Sequence, residues 1–153
     1  MIKGDKTHGS SDARTKGYRL ALSHAGIAID EELIEQGKFN FESGLQAARV
    51  LLALDKPPTA IFAQNDDMAA GVIAAAHDQG IVIPDELSVV GYDDSAIAKI
   101  VYPRLTTIHQ PVREMAHAAA DMLVAMVENQ PFSELVEHPY ALVVRDSAGS
   151  APE

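Results

Sequence analysis

Two apolar runs in this chain end in groups that could do chemistry. The run S-V-V-G-Y-D-D at residues 88–94 is a β-branched strand that delivers Asp93 and Asp94 just beyond Gly91, where glycine lets the backbone turn. The run T-A-I-F-A-Q-N-D-D at residues 59–67 delivers Asn65, Asp66 and Asp67 in the same way. Open α/β sheets keep their ligands beyond the carboxyl ends of the strands, so these groups stand where a ligand would be held.

Two chemistries suit such a set. Asp66, Asp67, Asp93 and Asp94 could gather as a magnesium or phosphoacceptor site, as in response-regulator receivers and some phosphatases. Against this, the pairs sit on later strands, no lysine falls at a matching strand end, and helical geometry points Asp67 away from Asp66. His8, His24, His77, His109, His117 and His138 show no metal-ligand spacing, and no phosphate loop, nucleophile elbow or dinucleotide fingerprint appears. The expectation is therefore binding without a catalytic step, with no metal and no cofactor.

Composition bounds the rest. At 153 residues and 47% hydrophobic, with no apolar segment long enough for a membrane span, the chain reads as one soluble globular domain. The absence of cysteine removes thiolate chemistry and fits the cytoplasm. A net charge of -10 opposes a phosphate backbone, so any nucleic-acid role must come from outside this chain.

The hydrophobic period alternates between that of helices and that of strands. Helices are expected at residues 11–25, capped by Ser10 or Ser11 with Ala13, Gly17, Leu20 and Ala21 inward, and at 41–54 and 66–79, the last capped by Asn65 and stopped by Gly80. A long helix is expected at 111–129 with Pro111 in its first position. Strands are expected at 33–37, 59–63, 87–91, 105–109 and 140–144, and residues 1–3 read as the tail of another. The strand-helix order from 33 to 91 predicts an open parallel sheet with helices on both faces, an α/β fold. The 111–129 helix carries a broad stripe that includes Val112, Met115, Met122, Leu123, Met126 and Val127. Leaving the larger side chains of that stripe in water would cost on the order of 10 kcal/mol. The stripe is expected to pack on this sheet, on a lobe outside the chain, or on a second copy.

Taken together, S-S-D-A-R-T-K-G-Y at 10–18, P-T-A-I-F-A-Q-N-D-D-M-A-A-G at 58–71, S-V-V-G-Y-D-D at 88–94 and P-R-L-T-T-I-H-Q-P at 103–111 resemble the effector-binding domain of LacI/GalR-type transcriptional regulators. That domain has a periplasmic-binding-protein-like fold. The motifs keep family order and spacing over roughly nine tenths of the chain. The resemblance implies a two-lobed protein with a small effector, a sugar or related metabolite, held between lobes. It also implies a cytoplasmic homodimer that touches operator DNA through an amino-terminal head outside this chain. Residues 1–109 would be the carboxyl-terminal lobe, 110–130 a helix crossing to the other lobe, and 131–153 the return strand and tail.

The resemblance assigns ligand binding to Arg14, Phe39, Asn65, Asp93 and Gln110. Chemistry supports each beside a plainer alternative. Arg14 offers a planar fork of donors for hydroxyls or a carboxylate, or is a surface arginine. Phe39 offers a flat face, or belongs to the core. Asn65 can meet a hydroxyl, or only cap its helix. Asp93 is a charged acceptor beside an Asp94 that serves structure, and Gln110 reaches the cleft or braces the crossover. The loop 4–9, G-D-K-T-H-G, is longer than the usual family loop and leaves ligand identity open. The resemblance implies a dimer surface at Val72, Ala75, Val101 and Tyr102, and the alternative is that these residues are merely packed core. A free-standing sugar receptor for transport or chemotaxis is the alternative, and the T-T-I-H-Q-P run favours the regulator.

Overall fold

The computed structural model describes residues 1–151. In chain order it contains β1 (Ile2–Lys3), α1 (Gly9–His24), a 3-10 turn (Glu31–Leu33), β2 (Glu35–Gln36), α2 (Phe41–Leu52), β3 (Ala60–Phe62), α3 (Asp66–Asp78), β4 (Ser88–Asp93), α4 (Ala96–Ile100), β5 (Thr106–His109), α5 (Val112–Val127) and β6 (Ala141–Val143). β1 pairs in parallel with β2, and Ile2 also bridges to Ala63 at the end of β3. β3, β4 and β5 are parallel, with Ile61 opposite Val89 and Val90 opposite Thr106. β6 closes that edge antiparallel to β5. The spatial order is therefore β2-β1-β3-β4-β5-β6, an α/β fold with a mostly parallel sheet, as the alternating periods predict.

The helices start and stop for local reasons. Asn40 and Asn65 cap α2 and α3, their side-chain oxygens accepting from Ser43 N–H and Met68 N–H. Gly80 ends the α3 segment at φ +71, a conformation that suits glycine. α2 and α3 then approach backbone to backbone through Gly44 and Gly71. A Cβ on Gly44 would come within 2.3 Å of the Met68 carbonyl, and one on Gly71 within 2.4 Å of the Phe41 carbonyl.

Strand alternation sorts the sheet into two faces. Ile61, Val89 and Leu105 point to the side covered by α3 and, beyond it, α2, where they join Leu51, Met68, Val72 and Ala75 in a dry core. Phe62, Val90, Tyr92 and Ile108 point to the other side and line, with α1, a groove of ≈ 770 Å³.

Several expectations change. Val72 and Ala75 are 0% exposed, filled in by the chain's own core, so neither offers surface to a second copy. α1 begins at Gly9 after His8, and Ser11 is not its cap but a buried residue donating to Gln64. Ala13, Gly17 and Ala21 line the groove, and Leu20 is exposed. β2 is shorter than expected because a 3-10 turn capped by Asp30 takes residues 31–33. β4 runs on to Asp93, and Pro111 stands before α5 rather than in it. α5 has no buried residue, and its stripe stays in water with Leu123 at 62% and Val127 at 82% exposure. Of the tail expected at 131–153, Pro152 and Glu153 lie outside the described residues.

Candidate functional site

The carboxyl ends of β1, β3, β4 and β5 converge on one rim, and α1 lies across it. Gln64, two residues past β3, is the post to which the rim is tied. It is 0% exposed. Its side-chain oxygen accepts from Gly4 N–H (2.7 Å) and Ser11 Oγ (2.8 Å), and its amide donates to the Ser11 carbonyl (3.0 Å) and Thr15 Oγ1 (2.9 Å). α1 is therefore fixed to the sheet by a polar bolt as well as by apolar contact, which suits a helix that buries so little.

That bolt sets Arg14. Its Nη1 donates to the Gln64 carbonyl at 2.6 Å, its guanidinium carbon stands 3.8 Å from the centre of the Tyr92 ring and 5.8 Å from that of Phe39, and Nη2 lies 3.6 Å from Asp93 Oδ1. A cation stacked on aromatic faces keeps its edge for hydrogen bonding, and here that edge is shared between the Gln64 carbonyl and the acid. Arg14 is thus no loose surface arginine.

Asp93 also accepts a 2.5 Å hydrogen bond from the Gln110 side chain, which brings the crossover after β5 to the same carboxylate. Burial pushes the Asp93 carboxyl above its ordinary range, and Arg14 pulls it back only in part. With its side chain one-third exposed, Asp93 can still meet a hydroxyl or an amine. Phe39, at φ 59, folds its ring over Gly4, where any Cβ would lie 1.9 Å from the ring. The His8 ring meets it edge-on at 5.6 Å, so the 4–9 loop packs against Phe39.

Asn65 does the plainer job in full. Its oxygen caps α3 and its amide donates to the Phe39 carbonyl at 3.0 Å, leaving one N–H and one lone pair for anything else. Asp94, adjacent to Asp93, faces a different set. It accepts from Arg145 Nη2 at 2.5 Å and lies 3.2 Å from His109 Nδ1. Burial works to raise its carboxyl pKa, but the hydrogen bond and charge of Arg145 prevail and hold it below the ordinary value.

The structure thus links Arg14, Phe39, Asp93 and Gln110 through contacts at one rim of the sheet, with Asn65 tied to Phe39, and of these Arg14 also lines the groove beside α1. Val101 and Tyr102 lie apart from it, Val101 half-buried and Tyr102 82% exposed. Gln64, Tyr92 and Arg145 were not singled out from sequence. Gln64 carried a usable signal, an uncharged polar residue at the buried end of a strand, which must find partners. Among the described residues no group of three or more potential metal ligands gathers, and no helix is long and apolar enough to cross a membrane.

A family model described as a periplasmic binding protein-like domain matches residues 1–148. The chain is 38% identical over 148 residues to the Bacillus subtilis (strain 168) protein named "Probable HTH-type transcriptional repressor ExuR", covering 96% of this chain and 44% of that protein. A crystal structure of a sugar-binding transcriptional regulator of the LacI family from Escherichia coli, complexed with phosphate, superposes with a TM-score of 0.87 at 36% identity over 95% of this chain and 52% of the other. A structure of the transcriptional regulator CelR with cellobiose superposes with a TM-score of 0.86 at 33% identity, over 96% of this chain and 45% of that one. The chain therefore spans about half the length of the proteins it matches.

Proposed function

The chain belongs to the periplasmic binding protein-like domains that serve LacI/GalR-type transcriptional regulators as effector-binding domains, and on that premise we propose that its effector is a sugar or closely related polar metabolite. One observation carries the reading. The cation of Arg14 and the carboxylate of Asp93 stand 3.6 Å apart at the rim, with the Phe39 ring 5.8 Å from the cation and the Gln110 amide on the same acid. Donor fork, charged acceptor and aromatic face are what a hydroxyl-rich ring needs. The similar structures, one described as a sugar-binding regulator and one as a complex with cellobiose, support the same ligand class.

In this reading residues 1–109 form one lobe, α5 carries the chain at 110–130 toward a second, and 131–153 return it. The exposed stripe of α5 then meets the second lobe. Effector held by Arg14, Phe39 and Asp93 on one side and by the second lobe on the other favours one lobe angle, a population shift with no bond made or broken. Operator DNA is touched by a head outside this chain, since a net charge of -10 repels phosphate. Val101 and Tyr102 remain as contacts between two copies, and the regulator acts in the cytoplasm.

The test is a thermal-shift screen of the intact regulator against monosaccharides, uronic acids, disaccharides and purine bases. A sugar-class compound should raise Tm, since a ligand at a hundredfold excess over Kd stabilises the folded state by about 2.7 kcal/mol. Asp93→Ala should remove that shift. A screen in which only purines act, or an Asp93→Ala protein that responds like the parent, rejects the proposal.

A further inference from the structure

We propose that Asp66, which is buried beneath the rim, is a positioning residue that fastens the bend carrying Asp93, through hydrogen bonds its carboxylate accepts from the Ser95 N–H and the Thr107 hydroxyl. The proposal rests on the reading of Asp93 as the effector-binding acid, and it adds how that acid is held. Asp66 opens α3 and is 1% exposed, so it cannot touch an effector. Its Oδ2 accepts from Ser95 N–H at 2.7 Å, and its Oδ1 accepts from Thr107 Oγ1 at 2.5 Å. One side chain thus joins α3 to the loop after β4 and to the middle of β5.

The bend between these fastenings needs holding. Asp93 at φ 119 and Asp94 at φ 54 are consecutive non-glycine residues in left-handed backbone, which side chains with a Cβ rarely adopt unless the surroundings impose it. Ser95 is the next residue, and its N–H is the first main-chain group beyond the strained pair. Asp94 is itself tied down through Arg145 and His109. With fastenings on Asp94 and Ser95, Asp93 is left to face Arg14 and Gln110.

Gly91 shows how closely the carboxylate is fitted. A Cβ there would lie 2.3 Å from Asp66 Oδ1, so β4 gives up a side chain where Asp66 rests against it. Thr107 is 0% exposed and its hydroxyl has this one acceptor among its hydrogen bonds, which makes the contact specific rather than incidental. A carboxylate buried only to fill space would not collect two donors from two separate segments.

The test follows amide exchange and side-chain signals of this 153-residue chain by NMR in deuterated water. In Asp66→Ala the Ser95 amide should exchange on the order of 10- to 100-fold faster, while the Val89 amide keeps its wild-type rate. The Gln110 side-chain amide signals should move to the positions they take in Asp93→Ala, because the acid has swung away. Asp66→Asn should restore both readouts, its oxygen accepting from Ser95 and its amide donating to Thr107. Thr107→Val should move the same signals part of the way, and Thr107→Ser should leave them in place; this pair carries the test if Asp66→Ala does not fold. Gln110 signals unchanged in a folded Asp66→Ala chain, or an acceleration at Ser95 no greater than at Val89, overturns the proposal. No readout requires an effector, so a failed bracket and a failed effector screen are separate results.

Discussion

On one face of the sheet Ile61 and Val89 are sealed beneath α3 to 1% exposure or less, whereas on the other Phe62 and Val90 are only half-buried beside a groove that α1 covers in part. Both faces alternate the same kinds of residue, so composition does not separate them. What separates them is the partner. α2 and α3 meet through Gly44 and Gly71 at backbone distance and bury Leu51, Met68 and Val72 with Ile61 and Val89 of the sheet. α1 carries small residues toward the sheet too, yet it is held by Gln64 at one end and leaves the groove open along its flank. The rim draws on both sides. Asp66 reaches it from beneath the sealed face, and Arg14 reaches it from the open one.

If the sealed face supplies the stability, truncating it should be felt most. Leu51→Ala, at a fully buried position, should cost about 2–5 kcal/mol in urea unfolding of the chain, with a lower midpoint and an unchanged slope. A loss below about 1 kcal/mol would mean that the core there collapses around the gap.

The rim should contribute less, and in a way that depends on pH. The Asp94 carboxyl is held below its ordinary value of 3.8, so its ionised form binds the folded state better than the unfolded one. That stability is present above the ordinary value and is lost as pH falls through the lowered one. Asp94→Asn should therefore cost about 1.5–3 kcal/mol near neutral pH and flatten the acid limb of the melting curve. Burial raises Asp66 and Asp93 instead, and their sign is opposite: each favours folding more as pH falls from its raised value toward the ordinary one. An acid limb equally steep in Asp94→Asn would assign that slope to other carboxylates.

The smallest effect belongs to the open face. Tyr140 lines the groove but is 78% exposed, and Tyr140→Ser should change the unfolding free energy by no more than about 0.5 kcal/mol. A larger loss by the same urea titration would show that the groove is closed in solution and that the two faces are alike.

Much of the fold was legible before any coordinates. Asn65 before a helical stripe, Gly80 after it, and Gly91 between a β-branched run and two acids each mark their place by chemistry acting within a few residues. The pairing of Arg14 with Asp93 was not legible from spacing, since their positions lie far apart in the chain. It came with the family resemblance, and the structure brings the two together. The Gln64 bolt was missed because its donors come from Gly4 and Ser11, 60 and 53 positions away. The burial of Val72 and Ala75 was not legible, because an apolar helix face reads the same whether it meets another helix of its own chain or a second copy.

By itself the sequence determined the kinds of elements, their caps and which polar side chains stand at strand ends, because period, capping and turn chemistry act between near neighbours. Only the tertiary structure decided that Asp93 faces Arg14 while Asp94 faces Arg145, and that one face of the sheet is sealed and the other open. The partner of a carboxylate and the burial of a helix face are set by register and by which crossover lies above, and neither is written in the residues on either side.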